Sequence, residues 1–272
     1  MATEKLVKTR HLPQTDPPRS PRETLPTMYD LPSEDPEEPG LPDEFHLLQP
    51  QLLRETFRPS TYPPERVFVA SDLNLYYNMR HPNWHKRPDW FAVLGVPRLY
   101  DEKDLRLSYV VWQEEAWPYL VVELLSPGTE KEDLGGTLRD SSRPPTKWAV
   151  YEQILRIPYY VVYSRYTDEL HYFELAGGRY REVHLEHQRL WLPETGLGIG
   201  LWSGSYEGLE RPWLRCYDGN GEWIPTPLEQ ELQRAEQEQR RAELEHQRAE
   251  QEHARAERLT AQLRALGIEP EQ

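Results

Sequence analysis

Five short runs of β-branched and aromatic residues constrain the fold of this chain more than any other feature. Proline, glycine, serine or aspartate bounds these runs, which is the pattern typical of β-strands. The runs are residues 90–94 (WFAVL), 107–112 (LSYVVW), 119–125 (YLVVELL), 159–163 (YYVVY) and 170–175 (LHYFEL). Together they predict a β-sheet at the centre of the chain.

One helix is predicted between these strands. Residues 146–155 (TKWAVYEQIL) place apolar side chains at helical spacing, and Thr146 can cap the first turn. Gly177 and Gly178 supply a turn, which predicts that residues 170–175 pair with residues 179–185 as a hairpin. Strands followed by one helix and then more strands indicate an α/β or α+β sandwich with a single core, which we place at residues 46–225.

The segment before this core has a different composition. The first 50 residues hold ten of the 26 prolines, and residues 33–38 (SEDPEE) form an acidic run. Such a segment buries too little apolar surface to offset its chain entropy, so residues 1–45 are predicted to be disordered. A partner-binding arm is the alternative, and the sequence contains no ligand motif that favours it.

The segment after the core, residues 226–272, is predicted to be a charged helix. Arg-Ala-Glu recurs in steps of seven, beginning at Arg234, Arg241, Arg248 and Arg255. Oppositely charged residues four apart stabilise such a helix by about 0.2–0.5 kcal/mol per pair. The candidate seam of a coiled coil is weak, because one of its two heptad positions is mostly alanine and the other is mostly polar. A solvated helix is therefore favoured over a soft coiled coil that supports a homodimer.

Composition excludes several classes of protein. With 32 Lys+Arg against 46 Asp+Glu, the net charge of −14 argues against non-specific coating of nucleic acid, although it allows a local metal-assisted site. No apolar run reaches the ~18 residues of a transmembrane helix, and the first residues lack the apolar region of a secretory signal. The single cysteine, Cys216, excludes an intramolecular disulfide and a cysteine-based zinc cluster. A cytoplasmic protein without a membrane partner is expected.

Two acidic residues stand out against the apolar pattern of the core. Asp89 follows Pro88 and directly opens the run at 90–94, whereas Glu123 lies inside the most apolar run of the chain. A lone buried carboxylate costs several kcal/mol unless it is paired, protonated or bound to a cation. Simpler interpretations also exist: Asp89 can begin a strand, and Glu123 can face solvent or pair with an arginine such as Arg106.

Carboxylates on neighbouring strands can hold one divalent cation. Mg²⁺ is typically bound through one or two carboxylates and keeps several waters, which leaves room for phosphate oxygens. A nearby lysine would orient the attacking water and offset developing negative charge. Lys147, at the start of the predicted helix, is the first candidate, ahead of Lys131 and Lys86. The alternative for Lys147 is an ordinary lysine on a helix surface.

Taken in order, these residues resemble the PD-(D/E)XK arrangement of nucleases. Pro88-Asp89 precedes Glu123 in an apolar strand, and a lysine follows on the next helix. More closely, the chain resembles the Uma-two family of restriction endonucleases over roughly residues 60–205. The matching stretches are residues 71–76 (SDLNLY), 87–93 (RPDWFAV), 108–114 (SYVVWQE), 121–127 (VVELLSP), 147–152 (KWAVYE) and 157–163 (IPYYVVY).

This resemblance implies a restriction-endonuclease-like fold, in which helices flank a mixed β-sheet, and Mg²⁺-dependent cleavage of DNA, with Mn²⁺ able to substitute. Asp89, Glu123 and the backbone carbonyl of Leu124 would be metal ligands, and Lys147 would position the water. Asp72 would be an accessory carboxylate.

The same resemblance assigns Tyr151 and Glu152 to support of the helix rather than to chemistry. The chain departs from the nuclease pattern at Leu125, which occupies the usual position of the lysine. This departure and the acidic charge motivate an alternative: a catalytically inactive, nuclease-like interaction or scaffold protein that uses its C-terminal helix.

Overall fold

The computed structural model of the protein describes residues 15–27, 30, 43–125, 133–136, 144–185 and 187–265. The chain divides into two compact units, Met1–Ile224 and Pro225–Gln272. All the described strands belong to the first unit, and a single long helix makes up the described part of the second.

Four short α-helices and twelve strands of the first unit have bounds within the described residues. The helices are α1 (Pro21–Thr24), α2 (Phe45–Thr56), α3 (Val111–Glu114) and α4 (Lys147–Ala149), the last of which continues as a π-helical turn over Val150–Ile154. The first six strands are β1 (Val67–Ala70), β2 (Leu75–Tyr76), β3 (His85–Lys86), β4 (Trp90–Leu94), β5 (Tyr109–Val110) and β6 (Leu120–Leu124). The others are β7 (Tyr159–Tyr163), β8 (Leu170–Ala176), β9 (Arg179–Glu182), β10 (Arg189–Leu192), β11 (Leu197–Tyr206) and β12 (Leu209–Tyr217).

A mixed six-stranded sheet forms the centre of this unit, with the order β1-β4-β6-β7-β8-β9. Strand β6 is antiparallel to β4 and parallel to β7. The parallel pair needs a crossover connection, and α4 lies within that connection. Strands β4, β6 and β7 are almost entirely buried because both faces of the sheet are covered, which explains their continuous apolar sequences.

Different elements cover the two faces of the central sheet. On one face, a buried cluster joins Leu52 and Leu53 of α2 to Val122 of the sheet and to residues of the three-stranded sheet β10-β11-β12. Gln49 of α2 also exchanges two hydrogen bonds of 2.8 Å with the backbone of Leu214. On the other face, Val121 packs with the turn after α4 and with the small sheet β3-β2-β5. Each layer thus buries its apolar side against the central sheet.

Several elements predicted from the sequence are confirmed and one is partly wrong. Thr146 caps α4, since its hydroxyl oxygen accepts a hydrogen bond of 3.2 Å from the backbone N–H of Ala149. The hairpin turns at Gly177 and Gly178, both with positive φ. The strand predicted at 107–112 shortens to β5, because the chain turns into α3 directly after it pairs with β2.

Part of the proline-rich arm contacts the core. Residues 15–27 were predicted to be disordered, yet they include α1, and Leu25 packs against a buried cluster that contains Tyr76. The indole N–H of Trp112 donates a hydrogen bond of 3.2 Å to the carbonyl of Pro26. Apart from Asp30 and residues 43–45, the rest of the predicted arm lies outside the described residues. The sequence prediction also missed α2, whose apolar positions are interrupted by Pro50.

The second unit confirms the predicted helix. Helix α5 (Pro227–Ala265) has 39 residues, and none of them is buried. No helix in the described part of the chain combines the length and the apolar character needed to cross a membrane.

Candidate active site

The register of the central sheet brings Asp89 and Glu123 together. Trp90 pairs with Val122 across the antiparallel β4–β6 ladder, so the residue before Trp90 lies beside the residue after Val122. Side chains alternate between the faces of a sheet, and Asp89 and Glu123 therefore share the face that carries Phe91 and Val121. This is the face covered by α4.

Two hydrogen bonds join the strand segments at this point. The backbone N–H of Leu124 donates to Oδ2 of Asp89 at 2.6 Å, and the backbone N–H of Asp89 donates to Oε2 of Glu123 at 3.3 Å. Each carboxylate therefore accepts a hydrogen bond from the segment that carries the other. Because the backbone fixes both groups, the two carboxylates are held in place before any ligand binds.

Lys147 reaches this pair from the first turn of α4. Its Nζ lies 3.0 Å from Oε2 of Glu123 and 3.8 Å from Oδ1 of Asp133. The Lys147 side chain is 24% exposed, whereas the Glu123 side chain is 0% exposed. Solvent therefore reaches the cluster at Lys147, next to the buried carboxylate of Glu123.

Two further residues belong to this cluster: Tyr151, which sequence reasoning assigned to support of the helix, and Asp133, which it did not assign. The Tyr151 hydroxyl donates a hydrogen bond of 2.7 Å to Oε1 of Glu123. Tyr151 follows Lys147 by four residues, so the helical spacing was a signal that both side chains share one face. Asp133, which is almost fully buried, had no such signal, because it lies in a polar stretch without regular periodicity.

Glu152 has the supporting role that was predicted for it. Its carboxylate accepts hydrogen bonds from the backbone N–H of Tyr180 at 2.9 Å and from the guanidinium of Arg179 at 3.1 Å. These contacts tie the turn after α4 to β9 at the edge of the central sheet. Glu152 therefore supports the turn that carries Tyr151, and its hydrogen bonds within the described residues go to Gln153, Arg179 and Tyr180 rather than to Glu123.

Burial controls the ionisation of the cluster. Removal from water raises the pKa of Glu123 to about 7, with Lys147 opposing this rise and the nearby Asp89 carboxylate contributing to it. Burial also raises the pKa of Asp89. Although burial disfavours the ammonium, the surrounding carboxylates outweigh it and raise the pKa of Lys147. When they are ionised, the three carboxylates of Asp89, Glu123 and Asp133 outnumber the single ammonium, and this excess of negative charge favours a bound cation.

Asp72 lies at the border of the cluster. Its carboxylate accepts a hydrogen bond of 2.5 Å from Arg87, and its backbone N–H donates one of 3.0 Å to the carbonyl of Pro88. Among the described residues, Asp72 makes no contact with Glu123 or Lys147. The structure thus connects Asp72 to Asp89 only through the backbone of Pro88.

The backbone carbonyl of Leu124 has a protein partner. It accepts a hydrogen bond of 3.1 Å from Nε2 of His46, a buried residue of α2. The other ring nitrogen of His46 lies 2.8 Å from Oδ1 of Asp43. One lone pair of this oxygen is thus engaged by α2, and a carbonyl oxygen has two.

The donor set fits a hard divalent cation that retains waters. Asp89 and Glu123 offer two adjacent carboxylates, which is the number that Mg²⁺ typically uses. In the part of the chain that the structure describes, no group of three or more histidine, cysteine, aspartate or glutamate side chains is arranged to hold a metal. The described residues of the site therefore do not provide the three or four protein ligands that zinc requires.

Comparison with known families agrees with this geometry. Residues 20–209, well over half of the chain, match the model of the Uma2 family, which is described as "Putative restriction endonuclease". The chain belongs to the Uma2 family. The Uma2 match includes the central sheet and α4 and excludes α5, and the mixed α+β architecture is consistent with a restriction-endonuclease-like fold. No curated protein matches the chain.

Proposed function

We propose that this Uma2 protein is a Mg²⁺-dependent endonuclease that hydrolyses phosphodiester bonds in DNA. The observation that carries the proposal is the convergence of Asp89 and Glu123 on one face of the sheet, with the Lys147 ammonium 3.0 Å from Glu123. Membership of a family described as restriction endonucleases supports the class of reaction. The metal and the DNA substrate are parts of the proposal.

Each residue of the site has a chemical task in this proposal. Asp89 and Glu123 would hold the cation, with the carbonyl of Leu124 as a further ligand, and Mn²⁺ would substitute for Mg²⁺. The metal, when bound, would polarise the phosphodiester and lower the pKa of a water molecule. Lys147 would orient that water and offset the negative charge that develops on the phosphate.

Three neighbouring residues would act by positioning. Tyr151 donates to Glu123 and so limits the rotation of that carboxylate. Asp133 lies 3.8 Å from Lys147 and would help to hold the ammonium between two carboxylates. Asp72 would act through its hydrogen bond to Pro88, which places the backbone next to Asp89.

Metal-dependent nicking of plasmid DNA tests the proposal. Wild-type protein is expected to nick supercoiled plasmid in Mg²⁺ or Mn²⁺ but not in EDTA, and Glu123→Gln is expected to abolish nicking. Glu174→Gln is the matched control, because Glu174 is an exposed glutamate on β8 of the same sheet. The proposal fails if wild-type protein cleaves no DNA substrate and a calorimetric titration detects no binding of either metal.

The alternative function is an inactive nuclease-like module that assembles through its C-terminal helix. The observation that supports this alternative is that helix α5 leaves five leucines exposed: Leu228, Leu232, Leu244, Leu259 and Leu263. Deletion of residues 226–272 is then expected to lower the sedimentation coefficient from that of a homodimer to that of a monomer. A wild-type chain that sediments as a monomer at high concentration would exclude this alternative.

A further inference from the structure

A groove follows the free edge of the central sheet. Strand β1 is the outermost strand on its side, and beyond it lies a cavity of about 730 Å³. The cavity is lined by β1, by Arg54 and Arg58 at the end of α2, and by Arg98 and Arg106. As an edge strand, β1 has backbone groups that pair with no other strand of that sheet.

The groove is positively charged although the protein as a whole is acidic. Arg54, Arg58 and Arg98 are exposed, and none of them pairs with a carboxylate among the described residues. Arg106 differs, because its guanidinium binds both carboxylate oxygens of Glu114 at 2.8 and 3.0 Å. No described acidic residue lines the groove. The guanidinium groups of Arg54 and Arg98 are therefore available to an anionic ligand, as are the nitrogens of Arg58 other than Nη1, which donates a hydrogen bond of 2.8 Å to the backbone carbonyl of Arg54.

The groove ends next to the candidate active site. Ala70 of β1 pairs with Phe91, which lies two residues after Asp89 on β4. Ser71 lines the groove, and the next residue, Asp72, donates its backbone hydrogen bond to Pro88. Because neighbouring strands lie about 4.8 Å apart, a polymer bound along β1 passes within one or two strand spacings of Asp89.

We propose that this groove binds the sugar-phosphate backbone of the DNA strand next to the bond that is cleaved, with Arg54, Arg58 and Arg98 as phosphate ligands. This inference rests on the proposed nuclease function. An arginine fork matches the geometry of phosphate oxygens. On a chain with a net charge of −14, a local positive surface is needed to overcome repulsion of a polyanion.

A peptide that adds a strand to β1 fits the groove less well. Strand β1 has only four residues, and alternate backbone groups already bond to β4, so an added strand gains few hydrogen bonds. Phosphate groups instead use the three guanidinium groups that the structure leaves without carboxylate partners. The charge of the groove therefore favours nucleic acid over an extended peptide.

DNA binding without cleavage tests this inference. Binding of a labelled duplex by the full-length chain is measured in EDTA across a range of salt concentrations. The triple variant Arg54→Gln, Arg58→Gln, Arg98→Gln is expected to bind at least about 10-fold more weakly. Its salt dependence is expected to fall by about 0.9 in the log–log slope for each phosphate contact that is lost. The control is Arg234→Gln, Arg241→Gln, Arg248→Gln on α5, which removes the same charge.

The possible results separate this inference from the nuclease proposal. The inference is supported if only the groove variant binds DNA more weakly and with a lower salt slope, while its urea midpoint is unchanged. This result supports the inference even if wild-type protein never cleaves DNA. Undetectable binding by wild-type protein, or an equal loss in the control variant, overturns it. The inference is also overturned if the groove variant binds DNA normally but no longer binds a synthetic peptide of residues 31–42. The ligand of the groove would then be an acidic peptide.

Discussion

The candidate active site and helix α5 contain the same kinds of charged side chain in opposite surroundings. Glu123 is fully buried and depends on Lys147 and Tyr151, whereas no residue of α5 is buried. Removing one partner of a buried ion pair costs about 3–5 kcal/mol, whereas an exposed pair on a helix contributes about 0.2–0.5 kcal/mol. The comparison teaches that burial, and not the number of charges, distinguishes a chemical site from a solubilising surface.

The largest expected effect is that of Lys147→Met. This change leaves Glu123 without its ammonium partner, so the free energy of unfolding at pH 8 should fall by about 3–5 kcal/mol. At pH 5 the loss should be smaller, because Glu123 can be protonated. Urea unfolding at both pH values measures the difference, with the exposed Lys103→Met as control. Equal losses of unfolding free energy in the Lys147 and Lys103 variants at pH 8 would contradict the distinction between buried and exposed charges.

The pH dependence of stability gives the next effect. The pKa of Glu123 is raised from 4.5 to about 7 in the folded protein, so folding favours the protonated carboxyl group. The stabilisation is complete below pH 4.5 and is lost as the pH rises through about 7. Each unit of pKa difference corresponds to about 1.4 kcal/mol.

Glu123→Gln should remove this pH dependence. Its unfolding free energy relative to that of the wild-type protein should therefore increase between pH 4.5 and pH 7, in EDTA. Urea titrations at intervals of half a pH unit provide the measurement. A constant difference across this range would show that Glu123 ionises as an exposed glutamate does.

Tyr151→Phe should have a moderate effect, because it removes one hydrogen bond to the buried Glu123. Loss of the hydrogen bond to an ionised Glu123 should cost about 1.5–3 kcal/mol at pH 8 and less at pH 5. The control is Tyr172→Phe, because the Tyr172 hydroxyl donates to the backbone carbonyl of Gln188 at 2.9 Å. That cost should not change with pH, and a similar pH dependence in both variants would contradict the role of Tyr151.

The smallest effect is expected on α5. Glu245→Gln removes an exposed charge four residues after Arg241, so helix stability should change by less than about 0.5 kcal/mol. Thermal unfolding of the full chain, followed by circular dichroism at low and high salt, is the measurement. A loss of stability above about 1 kcal/mol would contradict the exposure of α5, since it would mean that this face of the helix is covered in solution.

Local features of the structure followed from the sequence because they depend on near neighbours. The apolar runs at Trp90–Leu94 and Tyr159–Tyr163 are strands, and Thr146 caps a helix as predicted. Helix α2 was missed because Pro50 interrupts its pattern, although its buried side chains pack in the cluster on one face of the central sheet. Strand β5 has two residues but was predicted to span residues 107–112. Apolar residues suit both a strand and the buried turn that follows it, so the run did not show where the strand ends.

By itself, the sequence determined the strands, the charged helix and the presence of a carboxylate in an apolar strand, since each follows from composition and spacing over a few residues. Only the tertiary structure decided which groups surround that carboxylate. Lys147 and Tyr151 lie 24 and 28 residues from Glu123 along the chain, and Asp133 enters from a polar connection. The electrostatic environment of a buried charge depends on distances in space, and the packing of α4 across β6 sets those distances.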